Sequence, residues 1–353
     1  MPRRSEALAR VSVRHRARLR RGLAARARTT LLCAAIPVLL GARPAPGQLP
    51  AKVVDHAAIE RAVAIGPHRR RRRKPEPESG LVSVAWLAAH LRDPDLVLLH
   101  VGEEDGYRTS HIPGARYVDF HELAANGHGS GPGLTLEMLP PDELRRQLEE
   151  LGISDDSRIV VYFGKDWITP STRVLFTLDA IGLGARAALL DGGMPEWVRA
   201  GHPVTAELPA PPARGRIRPN PARRTVVDAD FVETHERSPG TALVDARSPV
   251  YYDGTEAGSG VRGHIPGAHT IPFTSLVDDS LRVKPREQLE ALFRQAGVGA
   301  GDTVIAYCHV GMQATAVVFA ARLLGHPARL YDGSMQDWAA HKLPVTTAAG
   351  DQP

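Results

Sequence analysis

Cysteine is nearly missing from this 353-residue chain, which has only Cys33 and Cys308. With Cys33 inside a leader that is expected to be removed, Cys308 has no partner, and no disulfide framework can form. Aromatic residues make up only 5% of the chain, so aliphatic side chains and alanine must fill the cores. A long apolar run is missing too. The stretch from Thr30 to Leu40 is too short, and too broken by Pro37, to span a bilayer. No stable membrane anchor is expected.

Charge is unevenly spread. Residues 1–74 hold 19 of the 44 basic residues and three of the 39 acidic ones, so the remainder carries 25 against 36, a net of −11. The basic balance belongs to a leader and a linker rather than to a folded base-reading surface, and nucleic acid is not an expected partner. Residues 1–48 combine many arginines, the Thr30–Leu40 run and a small-residue, proline-containing tail. They are expected to be an export signal, placing the mature protein in the periplasm or outside the cell; the alternative is a basic tail on a cytoplasmic protein. Residues 49–80, with the run Arg69 to Lys74 and Pro75-Glu76-Pro77-Glu78, suggest a solvated linker.

What is present is an internal repeat. His111-Ile112-Pro113-Gly114-Ala115 returns as His264-Ile265-Pro266-Gly267-Ala268. An apolar strand follows each, Arg158 to Phe163 and Thr303 to Cys308, and leads into a helical stretch. Asp191-Gly192 before Trp197 is matched by Asp332-Gly333 before Trp338. Short β-branched runs alternating with amphipathic helices indicate an α/β fold with parallel sheets covered by helices. The expected domains are residues 81–205 and 224–348, each about 125 residues, joined by a proline-rich connector, residues 206–223. A monomer is expected.

The duplicated His-Ile-Pro-Gly-Ala, the Asp245-Ala246-Arg247 strand end, the strand-terminal cysteine and the paired Asp-Gly-to-Trp segments resemble the tandem-domain rhodanese family, the thiosulfate and 3-mercaptopyruvate sulfurtransferases. The resemblance covers residues 80–347. It implies two rhodanese-like domains, each a parallel five-stranded sheet flanked by helices, with an active site built mainly by the second. It also implies a reaction without a cofactor, between a small sulfur donor and a thiol or cyanide acceptor.

Cys308 is the expected nucleophile. The loop His309-Val310-Gly311-Met312-Gln313 follows a buried strand and opens a helix. Inward-turned backbone N–H groups and the helix N-terminus there favour thiolate over thiol. Those five residues are the expected substrate-binding loop. The resemblance assigns Arg247 to the anionic substrate, where a guanidinium fork suits a sulfonate or carboxylate; a structural salt bridge with Asp245 or Glu256 is the alternative. In the first repeat Phe163 stands opposite Cys308, followed by Gly164-Lys165-Asp166-Trp167, so that domain is expected to be silent, with Lys165 and Trp167 either walling the cleft or merely exposed. The thiosulfate enzymes carry Arg and Lys after the cysteine and the mercaptopyruvate enzymes Gly and Ser, so His309 and Val310 leave the donor open. No metal site is expected: His111 and His264 recur in both repeats, which points to a turn role, and neither has a ligand partner at metal spacing. A phosphatase on this fold needs an arginine six residues after the cysteine, where Ala314 stands. A noncatalytic persulfide carrier is the remaining rival.

Overall fold

The computed structural model describes residues 80–125, 133–165, 167–219, 225–348 and 350–352. The expected export signal and nearly all of the expected linker lie outside the described residues. Among the described residues no helix is long and apolar enough to cross a membrane.

Two five-stranded sheets, entirely parallel, lie within one compact unit. The first comprises β1 (Leu81–Val82), β2 (Leu96–Val101), β3 (Arg116–Val118), β4 (Arg158–Phe163) and β5 (Ala187–Leu190), in the order β1-β5-β4-β2-β3. The second comprises β6 (Val226–Val227), β7 (Thr241–Asp245), β8 (His269–Thr270), β9 (Thr303–Tyr307) and β10 (Ala328–Tyr331), in the order β6-β10-β9-β7-β8. The second order is the first shifted by five, as a duplication requires. The central strands read as unbroken apolar runs because helices cover both faces. Leu99, Val161 and Leu189 face one core, while Leu98, Val160 and Leu190 face the other. In the second sheet Val244, Val304 and Cys308 face one side, and Leu243, Ile305 and Tyr307 the other.

The helices that position the site are α1 (Val84–His90), α2 (Thr169–Ala180), α3 (Ala229–His235), α4 (Ala314–Leu324) and α5 (Ser334–Ala340). Both domains open with a side-chain cap: Ser83 Oγ accepts from Trp86 N at 3.1 Å, and Asp228 Oδ1 from Phe231 N at 2.9 Å. α2 and α4 are buried nearly all round, because each lies between its own sheet and the other domain. They meet near a pseudo-twofold axis, where the hydroxyls of Thr172 and Thr315 are 2.8 Å apart.

The repeated motifs form repeated hydrogen bonds. Tyr162 Oη accepts from Ile112 N, and Tyr307 Oη from Ile265 N, both at 3.1 Å. His111 Nδ1 meets Tyr107 O, and His264 Nδ1 meets Tyr252 O, both at 2.7 Å. The two histidines therefore fasten turns, as their recurrence suggested. Trp197 Nε1 donates to Pro203 O and Trp338 Nε1 to Pro344 O. The connector is pinned rather than loose, since Gly215 N and Ile217 N donate to the backbone and side chain of Glu149, respectively.

One buried polar group sits badly in this scheme. His100 is 2% exposed, neither ring nitrogen has a hydrogen-bond partner, and burial, with His111 nearby, pushes its pKa down to about 4. The native state refuses a proton that the unfolded chain accepts below the ordinary value of 6.5. Stability is therefore unaffected above that value and falls as pH drops from it towards 4, by roughly 3 kcal/mol in full. His100→Leu should flatten this acid limb, as denaturant unfolding at pH 7 and pH 4.5 will show; an equally steep loss in the variant would assign the limb to other groups.

Candidate active site

Cys308 follows β9 directly and has no exposed surface. Its loop runs from His309 to Gln313 and passes into α4. The backbone N–H groups of Ala314, Val310 and Gln313 lie around the sulfur and favour its charged form. This is the inward turn of the backbone that the strand–loop–helix order suggested. The net electrostatic result differs from the expectation. Burial raises the thiol pKa above its ordinary value, the three amides lower it by less, and Asp245 adds to the rise. Desolvation of a thiolate outweighs the pull of the amides. The resting site therefore favours the protonated form, and the amides reduce the cost of losing that proton.

The loop is held from below by α5. Ser334 Oγ accepts from Cys308 N at 3.0 Å and Gly311 N at 3.1 Å, and donates to Tyr331 O at 2.8 Å. Met335 N and Gln336 N donate to the carbonyls of Cys308 and His309, each at 3.1 Å. Gly311 takes φ of +78°, and a Cβ there would collide with the Asp332 carboxylate. Only glycine lets the loop lie this close to α5.

Arg247 lies two residues past β7 and is wholly buried. Its Nη2 donates to Asp245 Oδ2 at 2.6 Å and to Gly263 O at 2.7 Å, and its Nε reaches both Asp245 oxygens at 3.0 and 3.1 Å. Burial works against its charge, but the Asp245 hydrogen bonds and charge, helped by Tyr307 and Cys308, hold its pKa above the ordinary value. Nη1 alone has no partner. The structure thus realises the salt-bridge alternative with Asp245, leaves one guanidinium nitrogen without a partner, and keeps the Arg247 charge in electrostatic contact with Cys308.

The rim consists of half-buried loop side chains. His309, Val310, Met312 and Gln313 are all partly exposed, and Gln313 Oε1 has no partner. The His309 ring meets Tyr251 edge-on at 4.7 Å between centroids and lies against Gly258, where a Cβ would come within 2.5 Å of Cε1. Burial, and then Arg247, lower its pKa, so the ring is neutral at pH 7. Arg262 is exposed and donates to the carbonyls of Gly254 and Thr255. The first domain reaches over with Trp167, 52% exposed, which stacks on Phe273 at 5.7 Å. Lys165 is exposed beside it, and Asp166 lies outside the described residues.

The first domain shows what the same frame looks like without a thiol. Phe163 takes the place of Cys308, and Gly193 the place of Ser334 at the same φ of +53°. A Cβ on Gly193 would stand 2.6 Å from Phe163 Cε2, so the phenyl ring fits only because the serine is gone. Asp245 pairs with Tyr307 between β7 and β9 just as His100 pairs with Tyr162 between β2 and β4. By that register Gly102 stands where Arg247 does. Thiol, loop anchor, cation and counter-ion are all exchanged together.

Arg173 and Ser334 were not singled out from the sequence, and Asp332 was noted only as part of the repeated Asp-Gly segment. Ser334 left a faint trace, as the residue that differs between Asp332-Gly333-Ser334 and Asp191-Gly192-Gly193.

The Rhodanese-like domain family matches residues 83–200 and again 228–341. A sulfur carrier protein of Thermus thermophilus is 31% identical over 77% of this chain and 97% of its own length. A thiosulfate sulfurtransferase of Azotobacter vinelandii is 30% identical over 74% of this chain and 94% of its own. The crystal structure of a 3-mercaptopyruvate sulfotransferase from Escherichia coli superposes with a TM-score of 0.64 at 28% identity, covering 72% of this chain and 98% of that one. With both repeats matched and full-length relatives aligned from end to end, the chain belongs to the rhodanese family, as a tandem-domain member.

Proposed function

We propose that the protein moves a sulfane sulfur from thiosulfate to cyanide or a thiol acceptor through a persulfide on Cys308. The observation that carries this is the sulfur at the β9–α4 turn, where three backbone N–H groups favour its charged form and the Arg247 guanidinium, whose Nη1 has no partner, interacts with it electrostatically. The resting sulfur has no exposed surface, so the donor reaches it only when the side chains around it move aside. Cys308 loses its proton, and the thiolate attacks the outer sulfur of thiosulfate. The donor S–S bond breaks, its electron pair leaves with sulfite, and Cys308 becomes a persulfide anion. Arg247 Nη1 and the loop amides hold the sulfonate oxygens during this step. Cyanide then attacks the terminal sulfur, thiocyanate leaves, and the Cys308 thiolate returns. This is a two-stroke covalent cycle.

A second donor is favoured by a specific observation. No fixed cation follows the cysteine, His309 is neutral, and the charge of Arg247 is balanced by Asp245. Such a site suits a monoanionic carboxylate donor such as 3-mercaptopyruvate, whose carbon–sulfur bond would break in place of the S–S bond. Steady-state assays with both donors separate the two. A kcat/KM for thiosulfate at least about tenfold above that for mercaptopyruvate, a gap of 1.4 kcal/mol, is the expected result; the reverse order reassigns the donor. Persulfide on Cys308 by mass spectrometry with no turnover of either donor would make the protein a carrier instead.

A further inference from the structure

The silent domain places one buried arginine beneath the cysteine loop. Arg173, on α2, and Asp332, just past β10, are 3% and 5% exposed and form an ion pair between the domains. Arg173 Nη1 is bonded to Asp332 Oδ1 and lies 3.5 Å from Gly311 O, while Nη2 donates to Asp332 Oδ2 at 3.2 Å and Leu136 O at 2.5 Å. Asp332 Oδ2 also accepts from Met138 N at 2.8 Å. A Cβ on Gly311 would meet Arg173 Nη1 at 3.2 Å as well as Asp332. The loop thus rests directly on the pair.

The pseudo-twofold supplies a control. Asp191 is the counterpart of Asp332 and accepts from Val283 N at 2.9 Å, as Asp332 does from Met138 N. These matched bonds, with Thr172 and Thr315 on the axis, dock the two domains symmetrically. The arginine is not matched. Arg173 follows Thr172, whereas Ala316 follows Thr315. Asp191 has instead the half-exposed Arg282, 3.6 Å away. Docking therefore does not need a buried guanidinium, and a buried ion pair contributes little net stability over apolar packing. The one that is present lies under the loop that carries the thiol.

We infer that Arg173 is a positioning residue for sulfur transfer, supplied by the silent domain: by fixing Asp332 and the Gly311 carbonyl it sets the loop so that the Val310, Gln313 and Ala314 amides converge on Cys308. The inference rests on Cys308 carrying the sulfur. A planar fork reaches a carboxylate and a carbonyl together, which a lysine does not. The test uses the full chain with R173K and the double variant R173M/D332N, which removes the pair without stranding a carboxylate. Iodoacetamide modification of the Cys308-bearing peptide is followed by mass spectrometry against pH, beside kcat and KM for thiosulfate and an unfolding curve. The expected result is folded protein, a modification profile displaced to higher pH, and a kcat lower by about 10- to 100-fold with KM little changed. Folded variants with wild-type modification profiles and kcat would overturn the inference. Wild-type transfer that survives complete modification of Cys308 would instead overturn the functional reading, and the displacement of the modification profile would still decide the role of Arg173.

Discussion

Cys308→Ser should lower sulfur transfer by at least about a thousandfold while leaving the unfolding midpoint nearly unchanged, because the proposed covalent step loses its nucleophile. The fold should tolerate the change. Serine is smaller than cysteine, and its hydroxyl finds the same Ala314, Val310 and Gln313 amides that now surround the sulfur. Those amides cannot rescue the chemistry, since an alcohol stays protonated at any pH the protein survives and forms no persulfide. The wild type should gain the mass of one sulfur on the Cys308 peptide after thiosulfate, and the variant should not. The pH dependence has a definite sign. Burial raises the thiol pKa above its ordinary value, so the thiolate fraction and the single-turnover rate climb with pH through and beyond the usual thiol range. A rate already flat at pH 7 would mean the loop amides outweigh desolvation after all. Thiocyanate production by a folded Cys308→Ser variant at the wild-type rate would end the proposal.

How much of this was legible in the chain depended on whether a residue's neighbours are close in sequence. The duplicated His-Ile-Pro-Gly-Ala fixed both turns, because each histidine bonds a carbonyl four or twelve residues away. The alignment of Phe163 with Cys308 was equally readable, since each closes an apolar run that leads into a helix, and the Tyr162 and Tyr307 hydroxyl bonds match it. The loop amides could be expected from the strand–loop–helix order alone. The direction of the thiol pKa could not, because it is a balance in which burial is the larger part, and burial is a property of the packed molecule. Arg173 and Asp332 are 159 positions apart, and nothing in either segment announces the other. Ser334 looked like a minor difference from Gly193 until the Phe163 ring was seen filling the space its side chain would need.

Arg247→Met should cost about 3–5 kcal/mol of stability, because it strands Asp245 as an uncompensated charge in a fully buried site. That loss alone says nothing about catalysis, so the informative protein is the double variant Asp245→Asn with Arg247→Met. Removing both charges takes away the desolvation cost together with the attraction, and the double variant should recover most of the lost stability in denaturant unfolding. Sulfur transfer should not recover with it. If Nη1, the one guanidinium nitrogen without a protein partner, holds the donor anion, kcat/KM for thiosulfate should stay about a hundredfold down in the stable double variant, in line with the loss of a charge-assisted hydrogen bond at a reacting centre. Asp245 raises the Cys308 pKa while Arg247, whose own charge the thiolate favours in turn, lowers it, so removing both charges together should leave the iodoacetamide profile close to that of the wild type. The two readouts separate the arginine's tasks: a double variant that modifies readily at Cys308 yet transfers poorly assigns Arg247 to the donor. One that is stable and transfers at the wild-type rate would show that the Asp245–Arg247 pair serves only to fill and order the end of β7.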